Sequence, residues 1–316
     1  MRKTITLTIA LLVTQAFAQL NIPLSQYSGN QIVYNPGYAG MRDSSLSANL
    51  SMRQLWVGMP GSPRLISFNS HAPLKNERHA IGLVLQREEW GPMNAHFGYA
   101  NYAHKVSFGQ GVLNLGLQAG FINSSTNRAM IKRVQNGEDP GLSDDDMPGI
   151  TRFDVNFGAH FQTAKFYAGF AIRHLTRPKF DTLTIPNGQH WYSETPSQYI
   201  FTAGYNYTLN DRWSLHPEVL MRVSSSTTAP LLNFGLQASY QSRHFFGVNW
   251  QAGYQRAVSL IARTAILPDL HIGYSYDIYY GGLSSFQKGS HEVAITYVLN
   301  SPWRKKSAAA ATTEEG

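Results

Sequence analysis

The sequence predicts an all-β protein: a transmembrane antiparallel β-barrel of about 14 strands, with short periplasmic turns and long external loops. Three observations support this fold class: an unusual composition, strict alternation of apolar and polar residues, and an ordered distribution of connection lengths. Only 14% of the residues are charged, against roughly 25% in a typical soluble domain, whereas aromatic residues reach 12%. No stretch approaches the roughly 20 apolar residues of a membrane helix. Strands that face lipid on one side and a wet interior on the other explain this balance.

The first element, residues 1–18, is predicted to be a secretory signal peptide. Basic Arg2 and Lys3 precede the apolar stretch Ile5–Val13, and a small-residue cleavage site ends at Ala18. The alternative, a short anchoring helix, is disfavoured because the apolar stretch is too brief to cross a bilayer. The chain has no Cys, which excludes a lipoprotein anchor, disulfides, thiolate metal sites and Cys nucleophiles.

The second element, residues 19–43, is predicted to be an N-terminal periplasmic segment. It contains "NQIVYNPGYAG", in which a Pro-Gly turn is flanked by Tyr34 and Tyr38. This segment could tuck into the periplasmic mouth of the barrel and close it, or it could be a disordered leader. The density of aromatic residues favours tucking.

The third element, residues 44–300, is predicted to be the barrel. In "NFGLQASYQSRHFFGVNWQA" Phe234 and Leu236 alternate with Gly235 and Gln237, and side chains on a strand point to opposite faces with a period of two. The same alternation recurs in segments that begin near Leu46, Leu113, Phe153, Leu215, Leu270 and Val293. Strand charges fall on the polar face, at Asp154, Arg173, Glu218, Arg222, Asp277 and Glu292. A second sheet or lipid could cover the apolar face, and a lumenal position for the charges favours lipid.

The connections between the predicted strands differ in length according to their parity. If the first strand runs outward, the long connections are odd-numbered: Gln54–Ser62, Ser125–Ile150, Thr176–Pro196 and Tyr279–Lys288. The even connections include tight turns at 162–164, 210–212 and 241–243. Short periplasmic turns and long external loops are typical of outer-membrane barrels, whereas a soluble sandwich has no reason to sort loop lengths by parity.

The last element, residues 301–316, is predicted to be a disordered C-terminal tail. It begins with an interfacial Trp303 and a basic triplet, Arg304–Lys306, and ends in an Ala, Thr and Glu stretch. The formal net charge of +7 is small, and part of it lies in this tail and in the signal peptide. No nucleic-acid partner is therefore predicted.

Several spaced motifs stand out along the chain: "VYNPGYAGMRDSS", "RQLWVGMPGSPRLISFNSHAPL", "WGPMNAHFGYANYAHKV", "IGYSYD" and "GSHEVAITY". Together they resemble the PorP/SprF family of type IX secretion membrane proteins, and the match spans about residues 22–300. The sequence departs from the family in the stretch Arg87–Trp90, where Asn-Asp often precedes the Gly-Pro turn, and in its tail. The motif positions that the resemblance marks as structural or partner contacts are Asn35, Pro36, Tyr38, Gly40, Trp56, Gly58, Gly61, Pro63, Gly91, Pro92, Tyr274, Asp277, Gly289, His291 and Glu292.

The resemblance implies a Bacteroidota outer-membrane protein that works with the type IX secretion and gliding apparatus. Implied partners are a large secreted adhesin, or periplasmic ring and peptidoglycan-linked proteins, besides outer-membrane lipids. Whether the chain is a core component or an accessory to one adhesin stays open. The alternative function is a transport barrel, either porin-like or a channel for hydrophobic solutes, because a barrel of this size can hold a lumen or a plug.

The sequence lacks the usual patterns of catalytic and cofactor sites, so no enzyme activity, cofactor or metal is predicted. No HExxH motif occurs, and lumenal His160, His216 and His271 are interpreted as hydrogen-bonding residues. Ser290 and His291 are consecutive on a strand and so point to opposite faces. The acidic stretch 138–146 could bind calcium, but a solvated loop or a surface for a basic partner fits its spacing better. Lumenal glycines at 82, 98, 116, 158, 204, 235, 253 and 273 could admit a plug or ease strand curvature, and curvature is preferred.

Overall fold

The computed structural model describes residues 22–41, 45–75, 77–127, 147–184, 190–226, 229–253, 256–282 and 284–300. The strands are β1 (Ser45–Gln54), β2 (Arg64–Pro73), β3 (His79–Trp90), β4 (Met93–Phe108), β5 (Gly111–Thr126), β6 (Met147–Gln162), β7 (Phe166–Arg173), β8 (Lys179–Thr184), β9 (His190–Glu194), β10 (Gln198–Tyr205), β11 (Tyr207–Thr208), β12 (Trp213–Ser224), β13 (Leu231–Tyr240), β14 (His244–Ala252), β15 (Ala257–Leu267), β16 (Leu270–Tyr279) and β17 (Ser290–Asn300). Helical turns precede β1: two 3-10 helices, Tyr27–Gly29 and Pro36–Tyr38, and α1 (Gln31–Tyr34).

Fourteen antiparallel strands form a closed ring, which confirms the predicted barrel. The ring runs from β1 through β7 to β10 and from β12 to β17, and it closes because β1 pairs with both β2 and β17. Strand β11 pairs with β12 outside the ring, and β8 pairs with β9 in a separate hairpin. A closed ring satisfies the backbone groups of every strand, which is what hydrocarbon requires of a spanning sheet.

The two faces of the strands differ as the alternation predicts. On β13 the polar residues Asn233 and Gln237 point inward and are buried, whereas Phe234 and Leu236 point outward and are about half exposed. The charged strand residues Asp154, Arg173, Glu218, Arg222, Asp277 and Glu292 are all buried inside the ring. The outward apolar face is therefore the face that lipid covers.

The ends of the ring differ in the length of their connections, as predicted. We name the end with the connections 74–78, 109–110, 163–165, 206–212, 241–243 and 268–269 the turn end. We name the opposite end, with the connections 55–63, 91–92, 127–146, 174–197, 225–230, 253–256 and 280–289, the loop end. Because short turns face the periplasm in outer-membrane barrels, the turn end is the periplasmic end. The chain enters β1 and leaves β17 at this end.

Several aromatic side chains lie on the outside of the barrel near the turn end. Phe108, Phe166, Tyr207 and Trp213 are all exposed there, as in the aromatic girdle at a membrane interface. The helices in the described part of the chain are all too short and polar to cross a membrane. The predicted signal peptide 1–18, the acidic stretch 138–146 and the tail 301–316 lie outside the described residues.

Candidate functional site

Residues 22–41, which we name the plug, lie inside the barrel. Leu24, Tyr27 and Ile32 are each 1% exposed although they lie outside the sheet. Near the loop end, the Ile22 amide donates to Glu88 Oε1 of β3 at 3.0 Å. Near the turn end, the Gly40 amide donates to His71 Nδ1 of β2 at 3.1 Å. The plug therefore runs through the lumen from the loop end to the turn end, where the chain enters β1.

Amide side chains of the barrel wall satisfy the backbone of the plug. Asn114 Nδ2 donates to the carbonyls of Gly37 and Ala39 at 2.6 and 2.8 Å. Gln118 Nε2 donates to the Ile32 carbonyl at 3.1 Å, and Asn249 Nδ2 donates to the Ser25 carbonyl at 2.8 Å. Because the short helical turns of the plug leave carbonyls unpaired, these lumenal amides supply hydrogen bonds that a ladder of strands would otherwise provide.

An ion cluster ties the outer part of the plug to the seam where the ring closes. Arg53 Nη2 lies 2.5 Å from Asp277 Oδ2, and Arg53 Nη1 lies 3.1 Å from Glu292 Oε2. All three side chains are fully buried. The Ser25 amide donates to Glu292 Oε2 at 2.7 Å, and the Ser25 hydroxyl donates to Asp277 Oδ1 at 2.7 Å. One guanidinium faces two carboxylates, so the plug supplies the additional donors that the buried charges require.

The plug approaches the barrel wall closely at several glycines. A Cβ added at Gly116 would lie 2.2 Å from the carbonyl carbon of Pro36, and one at Gly158 would lie 2.0 Å from Asn35 Oδ1. Gly82 and Gly273 similarly face Ile32 and Gln26 of the plug. The preference for strand curvature as the role of these glycines was therefore wrong at these positions, because the plug requires the absence of a side chain there.

The family-motif residues of the N-terminal segment lie in the plug. Asn35 Nδ2 donates to the Ala159 carbonyl of β6 at 2.9 Å, and Asn101 Nδ2 donates to the Pro36 carbonyl at 3.3 Å. The Tyr38 ring packs edge-on against His71 and His160, with ring centroids 5.7 and 5.3 Å apart. Gly40 has a φ of +69°, which favours glycine. Of the other motif residues, Asp277 and Glu292 join this site through the ion cluster.

A second group of motif residues lies at the loop end, where three connections meet. It comprises Trp56, Gly58, Gly61, Pro63, Gly91, Pro92 and Gly289. The Val57 amide donates to the Gly289 carbonyl and the Gly91 amide donates to the Gly61 carbonyl, each at 2.8 Å. The structure thus brings motifs from connections 55–63, 91–92 and 280–289 together. Tyr274 and His291 lie apart, on the outer face, with Tyr274 Oη 2.6 Å from His291 Nδ1.

Two residues of the ion cluster, Ser25 and Arg53, were absent from the sequence-predicted positions. Arg53 falls on the polar face of β1, and the register places it directly opposite Glu292 of β17. A basic residue on the first strand and acidic residues on the last two strands are the signal that could have identified it. These residues can be paired only when the register between β1 and β17 is known.

The start of the connection 174–197 is held to the lumen by a second buried cluster. His174 Nδ1 and the Tyr99 hydroxyl each lie 2.7 Å from Asp154 Oδ2, and the Thr176 hydroxyl donates to Asp154 Oδ1 at 2.7 Å. The His174 amide also donates to Asn156 Oδ1 at 2.8 Å. Burial lowers the pKa of His174, against the opposing effect of its hydrogen bond to Asp154. The neutral imidazole is therefore the form that this cluster favours.

We expect acidification to loosen this cluster. Because the native pKa of His174 is lowered, the unfolded or opened segment binds more protons than the native one near the ordinary His pKa of about 6.5. The neutral His174 therefore contributes its full stability to the cluster above a pH of about 6.5. This contribution is lost as the pH falls from the ordinary His pKa toward the lowered pKa of native His174. The protection factors of the Leu175 and Thr176 amides, which are the intrinsic exchange rates at each pH divided by the measured rates, should be smaller at pH 5 than at pH 7.5. His174→Asn should flatten this pH dependence of protection, and an identical loss of protection in that variant would contradict the assignment.

The candidate residues for catalysis or metal binding make hydrogen bonds and ring contacts within the barrel wall. His216 lies 2.8 Å from Asn206 Oδ1 and 3.0 Å from Ser239 Oγ, whereas His160 stacks on Tyr167. Ser290 is buried and donates to the Tyr279 hydroxyl, whereas His291 faces outward. Within the described ranges, no three His, Cys, Asp or Glu side chains are grouped so that they could hold a metal ion.

Comparison with known proteins identifies the kind of barrel. A family model described as type IX secretion system membrane protein PorP/SprF matches residues 16–297. No curated protein sequence matches the chain. Among solved structures, the CymD monoaromatic hydrocarbon channel is 12% identical, covers 89% of this chain and 94% of its own, and has a TM-score of 0.52. The Ralstonia pickettii toluene transporter TbuX is 11% identical, covers 85% of this chain and 92% of its own, and has a TM-score of 0.50. The matches support an integral outer-membrane β-barrel.

Proposed function

We propose that this chain, which belongs to the PorP/SprF family of type IX secretion system membrane proteins, holds partner proteins at the mouths of its barrel. The partners would be a large secreted adhesin, or periplasmic ring and peptidoglycan-linked proteins of the secretion and gliding machinery. In this role the protein is a non-enzymatic component of the outer membrane. The family match over residues 16–297 is the observation that carries the proposal.

The plug in the lumen supports an anchoring role. The plug contacts residues of both early and late strands, including Asn101 and Asn114 on one side and Asn249 on the other. Its buried apolar residues and ion cluster favour a fixed position. Partners would therefore engage the ends of the barrel. The joined connections at the loop end offer an organised surface for a secreted protein, and the turn end faces periplasmic proteins.

The alternative function is a transport barrel for hydrophobic or small polar solutes. Such a barrel needs a path past the plug, which hydrogen bonds and buried charges hold in place. The two solved channels share the fold with this chain at 11 and 12% identity, and a likeness at that level does not carry their substrates across.

We expect deletion of the gene to remove a type IX substrate from the cell surface. An accessory role predicts the loss of one surface adhesin, whereas a core role predicts the loss of all such substrates. Surface labelling followed by quantitative mass spectrometry measures both outcomes, and complementation with the intact gene is the control. Normal surface amounts of every substrate in the deletion strain would refute the proposed function.

A further inference from the structure

A pair of histidines stands on the outside of the barrel near the turn end. His79 begins β3 and lies directly opposite His104 of β4 in the strand register. Both side chains are half-buried, and their rings lie 4.7 Å apart between centroids. The two Nδ1 atoms face each other at 3.2 Å. Cross-strand neighbours of this kind are held at a fixed separation by the sheet itself.

The contacts of His79 Nδ1 exceed what one ring nitrogen can satisfy by hydrogen bonding. It lies 2.6 Å from the Tyr102 hydroxyl and 3.2 Å from His104 Nδ1. In a neutral imidazole each nitrogen carries either one hydrogen or one in-plane lone pair. If the Tyr102 hydroxyl donates to that lone pair, a second donor from His104 must share it. A cation that accepts a lone pair from each ring would replace the contact between the two nitrogens, and the Tyr102 hydroxyl would then turn its hydrogen away from His79 Nδ1.

The separation of the two nitrogens suits a tetrahedral metal ion. Zinc binds imidazole nitrogen at about 2.0–2.1 Å, and two nitrogens 3.2 Å apart then subtend an angle of about 100° at the metal. The tetrahedral angle is about 109°. Imidazole is a ligand that suits zinc, copper and nickel. Both histidines can bind such an ion through a ring nitrogen.

The surroundings of the pair allow a metal ion to enter. His104 lines a cavity of about 520 Å³ beside the connection 74–78. Glu77 lines the same cavity and offsets part of the positive charge of Arg78 and Lys105, which also line it. The cavity lies at the periplasmic end of the barrel, where ions from the aqueous phase have access.

We propose that His79 and His104 form a two-histidine site for a divalent first-row transition metal such as Zn²⁺. The two nitrogens occupy two of four coordination positions. The remaining positions are left for water or for ligands that a second protein brings to the turn end. This site is independent of the plug and of the role proposed for the barrel in secretion.

Zinc titration of the purified full-length barrel in detergent tests the site. Isothermal calorimetry with Zn²⁺ alone should show one saturable equivalent for the wild type. His79→Gln and His104→Gln should each weaken binding at least about tenfold, because each removes one of the two protein ligands. His244→Gln is the matched control: His244 is also a half-buried residue near the turn end, but it lies against Thr264 Oγ1 at 2.7 Å. This variant should bind zinc as the wild type does.

A second measurement reports the ligands directly. Co²⁺ bound at this site should give visible absorption bands typical of nitrogen ligation, and these bands should disappear in the His104→Gln variant. The shift in gel mobility on boiling confirms that each variant is a folded barrel. The proposal is overturned if the folded wild type shows no saturable zinc binding, or if His79→Gln and His104→Gln bind zinc as tightly as His244→Gln.

Discussion

Arg53→Met is expected to destabilise the barrel strongly and to release the plug. The change leaves Asp277 and Glu292 fully buried without their guanidinium partner. Breaking a buried ion pair by removing one partner costs about 3–5 kcal/mol, because an uncompensated charge remains in a poorly solvated site. The free energy of unfolding, measured by denaturant titration in detergent, should fall by an amount in that range. Wild-type barrels in planar bilayers should be electrically silent, and the variant should show current steps.

A neutral triple variant separates the charge effect from loss of packing. Arg53→Met combined with Asp277→Asn and Glu292→Gln removes all three charges, and neutral replacement of a buried ion cluster is often tolerated. Its stability should therefore lie closer to wild type than that of Arg53→Met. Arg64→Met is the control for loss of an arginine as such, since Arg64 is exposed at the start of β2. If Arg53→Met and the wild type have the same free energy of unfolding and both pass no current in planar bilayers, the cluster does not fix the plug.

The barrel itself could be predicted because its determinants are local. Alternation with a period of two places Leu236 and Gln237 on opposite faces whatever the register of the neighbouring strands. Connection lengths are also properties of the linear sequence, and their parity distinguishes the ends of the ring. The closed ring follows from these two features, because an open apolar sheet would leave its edge groups unpaired in lipid.

The plug could not be placed from the sequence because its contacts are long-range. Ser25 hydrogen-bonds Glu292, which lies 267 residues away. The helical turns of the plug are three or four residues long, which is too short for a periodic pattern that would indicate a buried face. The density of tyrosines indicated packing, but it did not indicate that the segment passes through the whole lumen. Likewise Gly116 and Gly158 are needed only because Pro36 and Asn35 lie against them.

Leu236→Arg is expected to reduce the amount of folded barrel in the membrane sharply. Leu236 lies near the middle of β13, points outward and is 52% exposed on the face that lipid covers. Arginine at the lipid-facing midplane of a barrel costs roughly 2–4 kcal/mol. Leu236→Phe is the matched control, because it keeps an apolar side chain on the same face and should fold normally. The heat-modifiable folded fraction in isolated outer membranes measures the difference.

The neighbouring position cannot serve as a tolerant site. A polar residue that faces the lumen should tolerate arginine unless a plug packs against it. In the structure Gln237 Nε2 donates to the plug at Ser28 Oγ and to Glu218 Oε1, at 2.7 and 2.6 Å. Gln237→Arg should therefore also reduce folding, through the packed lumen and without a cost from lipid. Mutant yield alone does not distinguish the two environments.

Spin labels distinguish lipid from a packed interior. The chain has no native Cys, so single cysteines introduced at Leu236 and Gln237 can each carry one nitroxide. The label at Leu236 should be relaxed by oxygen, which concentrates in hydrocarbon, and shielded from a water-soluble nickel chelate. The label at Gln237, measured on the folded fraction that the heat-dependent gel shift identifies, should have less contact with oxygen, because the plug and the barrel wall enclose it. Equal shielding of both labels from both reagents would mean that Leu236 lies in a protein core, and the lipid-facing assignment of β13 would fail.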